Sequence, residues 1–222
     1  MAMFKVPHVV IPPSTSHTST VIFLHGLGDT GHGWASAMSE IKPAHTKVIL
    51  PTAPTIPVTI NAGAKMPSWF DLHGLNPNTP EDEAGLNAST EKIHSIINEE
   101  IALGIPSNRI VLGGFSQGGG LALYAGLRMT KSLGGIVALS CWLPMFRNFP
   151  DPNLKCSPDV PIFMCHGDCD PVVPFKWGQA SYKVIRSFMN KCEFHTYPGL
   201  MHSSNQSELN DIKGFLERIL HA

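Results

Sequence analysis

The sequence predicts an α/β fold with a mainly parallel central sheet and helices on both of its faces. Short apolar runs rich in Val, Ile and Leu recur along the chain, and segments of helical composition or long loops separate them. This alternation is typical of parallel strands joined by crossover helices. The predicted strands are 20–24, 47–50, 109–112, 135–140, 161–165 and 192–197, and the predicted helices are 30–41, 84–103, 117–129, 174–190 and 206–220.

The elements of the first half follow from their apolar patterns. Segments 20–24 and 47–50 are mostly apolar and have the length of buried strands, which assigns them to the sheet. Segment 84–103 is longer, and its apolar residues recur at helical spacing with charged residues on the opposite face. This pattern predicts a helix packed on the core. Its apolar stripe consists of Leu86, Ile93, Ile96, Ile97 and Ile101.

Segment 51–80 is predicted to be an irregular loop. It holds six prolines, and Trp69 and Phe70 within it have the setting of exposed aromatic side chains. A structureless segment of this length inside a compact domain is usually functional. The segment is therefore predicted to form a lid or a pocket wall.

The most informative motif is GFSQG at 114–118, which has the G-x-S-x-G pattern of a nucleophile elbow. A glycine-rich loop could carry the same letters, but the flanking segments favour the elbow. The apolar, β-branched run 109–113 is typical of a buried parallel strand, and 119–128 has the composition of a buried helix. This order of strand, elbow and helix predicts that Ser116 is a nucleophile exposed at a helix N-terminus.

A nucleophilic serine needs a base that takes its proton and an acid that orients the base. In a parallel sheet such groups come from loops at the carboxyl ends of strands. His202 lies in the loop between the last strand and the last helix, whereas His195 lies inside that strand and is predicted to be structural. His202 is therefore the predicted base.

Two aspartates follow the strand 161–165, and both satisfy the chain order of serine, acid and histidine. Asp170 lies further out on the loop, where Pro171 restricts its backbone. Asp168 directly follows a His-Gly pair and suits a turn as well as an acid role. Position favours Asp170, with Asp168 as the alternative.

Acyl transfer at a serine also needs two backbone N–H groups that stabilise negative charge on the substrate oxygen. One is expected from Gln117, the residue after the nucleophile, and the other from an early strand-to-helix loop. In the glycine-rich segment 25–31, Leu27 is the predicted donor and His25 is predicted to brace the loop. The segment lacks a G-K-[ST] sequence, which disfavours a phosphate-binding loop.

Composition limits the organisation and the partners of the chain. Its 222 residues fit a single domain, predicted to span 1–222 with 1–15 as an extended N-terminal segment. Sixteen basic and 17 acidic residues give a net charge of −1, which disfavours nucleic acid as a partner. The sequence shows no signal peptide, no transmembrane segment and no C-x-x-C pair among its five cysteines. We expect a cytoplasmic protein with reduced thiols.

Five sequence blocks carry a family resemblance: LHGLGDTGHGW at 24–34, PSWFD at 67–71, GGFSQGG at 113–119, HGDCDP at 166–171 and HSS at 202–204. With them the chain resembles, over nearly its full length, the acyl-protein thioesterase and lysophospholipase family of carboxylesterases. The resemblance implies a small α/β-hydrolase without a large cap domain. It also implies a serine hydrolase acting on S-palmitoylated proteins, lysophospholipids or short esters, with no metal or organic cofactor.

The resemblance assigns roles to individual residues. It implies Ser116, Asp170 and His202 as a catalytic triad and Leu27 and Gln117 as the oxyanion hole. It also implies an apolar channel that receives the acyl chain, with ordinary core packing as the alternative interpretation of the same residues. The predicted lining of this channel is Leu72, Leu75, Trp142, Val172 and Trp177.

Some positions depart from the family pattern. Ala2 stands where vertebrate members carry a cysteine that can be palmitoylated, so membrane contact is expected to be transient. His73 replaces a more usual apolar residue and is expected to alter the chain-length preference. Relatives can form weak dimers over the active-site mouth, so the resemblance allows a weak homodimer, while the sequence itself does not determine the oligomeric state. Two rival hypotheses remain: a general carboxylesterase without a protein substrate, and a hydrolase fold that binds a ligand without turnover.

Overall fold

A computed structural model describes residues 8–76, 78–150 and 154–221. Ala2 and the other residues of the predicted N-terminal segment before residue 8 lie outside the described residues. Within these ranges, no helix combines the length and the apolar character needed to cross a membrane. The strands are β1 (Val9–Ile11), β2 (Ser19–Leu24), β3 (Thr46–Leu50), β4 (Thr55–Val58), β5 (Ala64–Pro67), β6 (Ile110–Phe115), β7 (Gly135–Leu139), β8 (Ile162–Gly167) and β9 (Cys192–Tyr197).

The helices are α1 (Ala35–Ile41), α2 (Glu83–Ala102), α3 (Gln117–Arg128), α4 (Phe175–Arg186) and α5 (Gln206–Ile219). Seven strands form one sheet in the order β1-β3-β2-β6-β7-β8-β9. β1 pairs antiparallel with β3, and the other neighbours pair in parallel. The predicted, mainly parallel sheet is confirmed.

Alternating side chains of the buried strands serve the two faces of the sheet. In β2, Ile22 and Leu24 belong to the same apolar cluster as buried residues of α2, α3 and α4. Val21 and Phe23 belong to a second cluster with buried residues of α1 and α5. Helices therefore cover both faces, and the apolar strands are enclosed on each side, as parallel strands require.

Three strands were missed by the sequence analysis. β1 is a short edge strand, and β4 and β5 form an antiparallel hairpin within the segment predicted to be irregular. The predicted exposure of Trp69 and Phe70 is also wrong, because each side chain is only 3% exposed. The Trp69 indole Nε1–H donates to the His25 carbonyl at 2.8 Å, and Phe70 packs in the core. Satisfying the indole N–H in this way allows the ring to be buried.

Candidate active site

Ser116 lies in the tight turn between β6 and α3. Its φ of 54° and ψ of −123° are rarely adopted by residues with a side chain, and such conformations cost on the order of 1–3 kcal/mol. Hydrogen bonds hold the turn on both sides. The Ser116 N–H donates to the Leu139 carbonyl at 2.8 Å, and the Ser116 carbonyl accepts from the Gly120 N–H at 3.0 Å. The carboxyl edge of the sheet thus presents the serine in a fixed, strained conformation.

The two outer glycines of the motif are needed for space. A Cβ at Gly114 would lie 2.4 Å from the Gly118 carbonyl group. A Cβ at Gly118 would lie 2.4 Å from the carbonyl oxygens of Leu24 and His25. These contacts are backbone atoms that cannot rotate away, so the turn forms only with glycine at both positions.

His202 connects Ser116 to Asp170. Its Nε2 lies 2.9 Å from Ser116 Oγ, and its Nδ1 lies 2.7 Å from Asp170 Oδ2. Because an ionised carboxylate only accepts hydrogen bonds, Nδ1 carries the proton and Nε2 is free to accept from the serine hydroxyl. The imidazole also packs on the Phe115 ring, with 4.8 Å between the ring centroids. This arrangement can remove a proton from Ser116.

The two candidate acids have different environments. Asp170 is buried, and its Oδ1 accepts the N–H groups of Val172 at 2.8 Å and Val173 at 2.9 Å, which leaves Oδ2 for His202. Asp168 accepts the Gly199 N–H at 2.7 Å and so stabilises a turn. The structure therefore brings Asp170 to His202 and places Asp168 in the turn role considered from the sequence.

His166 is a neighbour of this group that sequence reasoning missed. It is buried at the end of β8, and its Nε2 lies 2.9 Å from the Val173 carbonyl and 3.5 Å from Asp170 Oδ2. Burial lowers the pKa of His166, which favours the neutral ring with its proton on Nε2. The ring thus positions the 170–173 turn. His166 directly follows the predicted strand 161–165, and this position carried no signal for its contact with the Val173 carbonyl.

The residues predicted for the oxyanion hole lie beside Ser116 on the same cavity. Gln117 is the first residue of α3, so its N–H has no acceptor within the helix. Leu27 lies in the loop after β2, which is held to β5 because the Gly28 N–H donates to the Pro67 carbonyl at 2.8 Å. Gln117 and Leu27 therefore lie beside the serine in backbone segments that are held in place, the first by α3 and the second by the contact with β5.

The Gln117 side chain forms a buried network that the sequence did not reveal. Its Oε1 accepts the Trp69 N–H at 3.1 Å, and its Nε2 donates to the Phe70 carbonyl at 2.8 Å and to Ser68 Oγ at 2.9 Å. Residues 68–70 are thereby fixed to the start of α3. Gln117 thus has a structural side chain, while its backbone N–H has no acceptor within α3.

His25 braces the loop that carries Leu27. Its Nε2 accepts the Ala53 N–H at 3.0 Å, so the ring proton is on Nδ1, which donates to the Gly26 carbonyl at 2.7 Å. Burial lowers the pKa of His25 and keeps the ring neutral. The imidazole therefore links the loop after β2 to the segment after β3.

Two adjoining cavities lie next to this group. We call the cavity with Ser116, His202 and Val172 in its lining the outer cavity, and the cavity with Trp177 in its lining the inner cavity. Three residues line both cavities: Leu72, Leu75 and Trp142. The structure thus places all five predicted channel residues on cavity walls, although Leu72 is also part of the core and Leu75 and Trp142 pack against it.

His73 also lines the inner cavity. Its Nδ1 lies 3.0 Å from the Pro80 carbonyl, and its Nε2 lies 3.1 Å from Asp71 Oδ2. The Asp71 carboxylate in turn accepts the N–H of Thr59 at 2.7 Å and its hydroxyl at 2.6 Å. His73 therefore belongs to a polar network that joins the β4–β5 hairpin to the cavity wall.

A comparison with known families shows which family the chain belongs to. The model of the phospholipase/carboxylesterase family matches residues 6–220 of the chain. The chain belongs to the phospholipase/carboxylesterase family. The resemblance inferred from the five sequence blocks is confirmed, and the chain is a serine hydrolase of this family.

Curated relatives of this phospholipase/carboxylesterase include two fungal proteins. Acyl-protein thioesterase 1 of Neurospora crassa is 44% identical over 226 residues, which cover 97% of this chain and 92% of the relative. Acyl-protein thioesterase 1 of Gibberella zeae is 42% identical over 231 residues, which cover 99% and 98%. The chain is therefore similar to these proteins over nearly the whole length of each.

Solved structures agree with this assignment to the phospholipase/carboxylesterase family. Acyl-protein thioesterase 2 of Zea mays superposes with a TM-score of 0.87 at 29% identity, covering 96% of this chain and 98% of that one. SOBER1 of Arabidopsis thaliana gives a TM-score of 0.83 at 35% identity, covering 91% and 99%. The chain has the α/β-hydrolase fold, and no large cap domain is inserted among the residues described above.

Proposed function

We propose that this enzyme hydrolyses long-chain acyl thioesters of S-acylated proteins through an acyl-serine intermediate, with activity on lysophospholipids and carboxylic esters. The observation that carries the proposal is the hydrogen-bonded series Ser116, His202 and Asp170 at the mouth of two adjoining cavities. The similarity to fungal acyl-protein thioesterase 1 supports the same substrate class.

The first half of the reaction forms the acyl-enzyme. His202 Nε2 takes the hydroxyl proton of Ser116 as Oγ attacks the thioester carbonyl, and Asp170 stabilises the resulting imidazolium. The backbone N–H groups of Leu27 and Gln117 donate to the oxyanion. The tetrahedral intermediate then collapses, the carbon–sulfur bond breaks, and the imidazolium gives its proton to the departing thiolate.

The second half releases the acyl group. Water attacks the acyl-serine carbonyl while His202 Nε2 takes its proton, and the same two N–H groups again hold the oxyanion. Collapse returns the proton to Ser116 Oγ and frees the fatty acid. The residues of this chain supply each proton transfer in the cycle.

The acyl chain is proposed to pass from the outer cavity into the inner cavity. Leu72, Leu75 and Trp142 support this path because they line both cavities, while Val172 and Trp177 each line one of them. An apolar chain gains roughly 0.8 kcal/mol for each methylene that it buries. A long acyl group therefore has more to gain from the second cavity than a short one.

Exposed apolar residues near the opening support transient contact with a membrane. Ile60 and Val172 line the outer cavity and are 40% and 44% exposed, and Met201, next to His202, is 58% exposed. S-acylated proteins and lysophospholipids both lie at membrane surfaces.

A weak homodimer over this opening remains a prediction. The free state of all five cysteines supports a cytoplasmic location.

A substrate panel tests the proposal. Purified wild type and Ser116→Ala are compared on a palmitoylated peptide thioester, lysophosphatidylcholine and a short aryl ester. We expect the highest kcat/KM on the palmitoylated peptide, and a loss of about 10³-fold or more in kcat on every substrate for Ser116→Ala. Near-normal turnover by Ser116→Ala would exclude the serine mechanism. Preference for lysolipid and short ester would instead support a general carboxylesterase.

A further inference from the structure

Glu81 connects two segments of the inner cavity wall that are distant in sequence. Its Oε1 accepts a hydrogen bond from the indole Nε1–H of Trp142 at 3.3 Å, and its Oε2 accepts one from the Met145 N–H at 2.7 Å. One oxygen thus serves each donor. A carboxylate, which has two accepting oxygens and no donor, fits this pair of N–H groups.

The loop that carries Trp142 needs external support. It follows β7, and two of its residues, Ser140 and Met145, have positive φ values of 46° and 54°. Such backbone conformations persist only when surrounding contacts hold them. The Leu143 N–H donates to the buried Ser181 Oγ at 2.8 Å, and Glu81 holds the loop on either side of that point. Glu81 is thus one of the groups that fix this loop.

Trp142 lies where the outer and inner cavities meet. Leu72 and Leu75 share this position, but their side chains are purely apolar and pack without a hydrogen bond to orient them. The indole is large, and its orientation determines how much space remains between the two cavities. Its hydrogen bond to Glu81 is a contact that fixes this orientation.

We propose that Glu81 is a positioning residue for long-chain substrates, which acts by fixing Trp142 at the junction of the two cavities. The inference rests on the proposed function, because it requires the acyl chain to pass this junction. A short acyl group stays in the outer cavity beside Ser116 and does not have to pass Trp142 into the inner cavity. Glu81 therefore controls the binding of long chains and leaves the chemistry at the serine unchanged.

Two substitutions at Glu81 and one matched control test the proposal. Glu81→Gln keeps the size of the side chain but replaces one accepting oxygen with a donor, so it can serve only one of the two N–H groups. Glu81→Ala removes both hydrogen bonds. Glu83→Gln makes the same chemical change at an exposed carboxylate in the first turn of α2, away from the cavity lining.

The measurement is kcat and KM for palmitoyl and butyryl thioesters of the same thiol. Because Glu81→Gln loses one of the two hydrogen bonds to a charged carboxylate, it should raise KM for the palmitoyl thioester about tenfold, and Glu81→Ala should raise it more. The palmitoyl kcat and both butyryl constants should stay within about twofold. Glu83→Gln should match wild type on both substrates. An unchanged palmitoyl KM, or equal losses on both substrates, would overturn the inference.

A double-mutant comparison tests whether Glu81 acts through the indole. Trp142→Phe removes the Nε1–H donor and keeps an aromatic wall. In that background Glu81→Gln should raise the palmitoyl KM by a smaller factor than in wild type, because the two residues share one hydrogen bond. Equal factors in the two backgrounds would contradict the route through Trp142. Fluorophosphonate labelling of Ser116 and the unfolding temperature show that each variant is folded.

The wild-type data separate failure of this inference from failure of the proposed function. If wild type hydrolyses the palmitoyl thioester no better than the butyryl thioester, the proposed long-chain activity is wrong and the inference fails with it. If wild type prefers palmitoyl but Glu81→Gln affects both substrates equally, the inference alone fails.

Discussion

Asp170 Oδ2 lies 2.7 Å from His202 Nδ1, while the other oxygen of the same carboxylate accepts two backbone N–H groups. The Asp170 side chain is therefore anchored by contacts other than the one with His202. Asp168, two residues earlier, is hydrogen-bonded to the Gly199 N–H instead. Because of this difference, substitutions of Asp170 and Asp168 should have different effects on kcat.

Asp170→Asn should lower kcat by about 10²–10⁴-fold, because an amide no longer selects the His202 tautomer that accepts the serine proton. Asp168→Asn is the matched control and should retain kcat within about threefold, since the amide oxygen can still accept the Gly199 N–H. Turnover of a thioester by the two purified variants checks this. A larger loss for Asp168→Asn than for Asp170→Asn would reverse the assignment.

Trp177 and Val172 should affect different substrates. Trp177 lines the inner cavity, so Trp177→Ala should raise KM about fivefold for a palmitoyl thioester and leave a butyryl thioester unchanged. Val172 lines the outer cavity beside Ser116, and Val172→Ala should change both substrates to a similar extent. KM measured across a series of acyl chain lengths tests whether the acyl chain follows this path through the two cavities. If Trp177 and Val172 only pack in the core, their substitutions should not distinguish long-chain from short-chain substrates.

Glu208 should make stability depend on pH. It is fully buried in the first turn of α5, and burial raises the pKa of its carboxyl from 4.5 to about 7. The folded state therefore keeps a proton that the unfolded chain has released. Its stabilising effect is complete below pH 4.5 and is lost as the pH rises through about 7.

Glu208→Gln removes this ionisation. The substitution should increase the free energy of unfolding at pH 8 relative to wild type, by at most about 3 kcal/mol, and by much less at pH 5. Urea unfolding at the two pH values measures the difference, with the exposed Glu217→Gln as control. The same change in stability at both pH values would show that Glu208 does not titrate as described.

The strain in the turn at Ser116 should appear as a difference in stability between two inactive variants. Glycine adopts a φ of 54° without a steric penalty, whereas alanine retains the Cβ that makes this conformation unfavourable. Ser116→Gly should therefore be more stable than Ser116→Ala by about 1 kcal/mol. Thermal unfolding of the two proteins provides the comparison, and a higher Tm for Ser116→Ala would argue against strain at the nucleophile.

The elements that could be predicted from the sequence are those whose apolar composition reflects their burial. The six apolar runs became strands of the main sheet, and the motif around Ser116 predicted the turn that the structure contains. The β4–β5 hairpin was missed because its strands contain Pro57, Lys65 and Pro67, and their pairing with each other defines them rather than an apolar pattern. Composition alone gives no sign of such pairing.

The candidate site shows the same division between residues with a local sequence signal and residues without one. Residues with a characteristic chemistry and position, such as Ser116 and His202, could be found from strand order and loop placement. Supporting contacts could not, because Glu81 meets Trp142 across 61 positions and Gln117 meets Ser68 across 49. Such pairs are determined by three-dimensional packing and carry no local signal.

The hydrogen bonds of His25 affect the energetics of the reaction. Its ring joins the Gly26 carbonyl to the Ala53 N–H, and its own carbonyl accepts the buried Trp69 indole. The loop that presents Leu27 is therefore held by the hydrophobic core in the absence of substrate. With Leu27 as a donor, the site is preorganised. Folding has already oriented the Leu27 N–H dipole toward the position where negative charge develops on the substrate oxygen. Little reorganisation energy then remains to be supplied when the acyl group reacts.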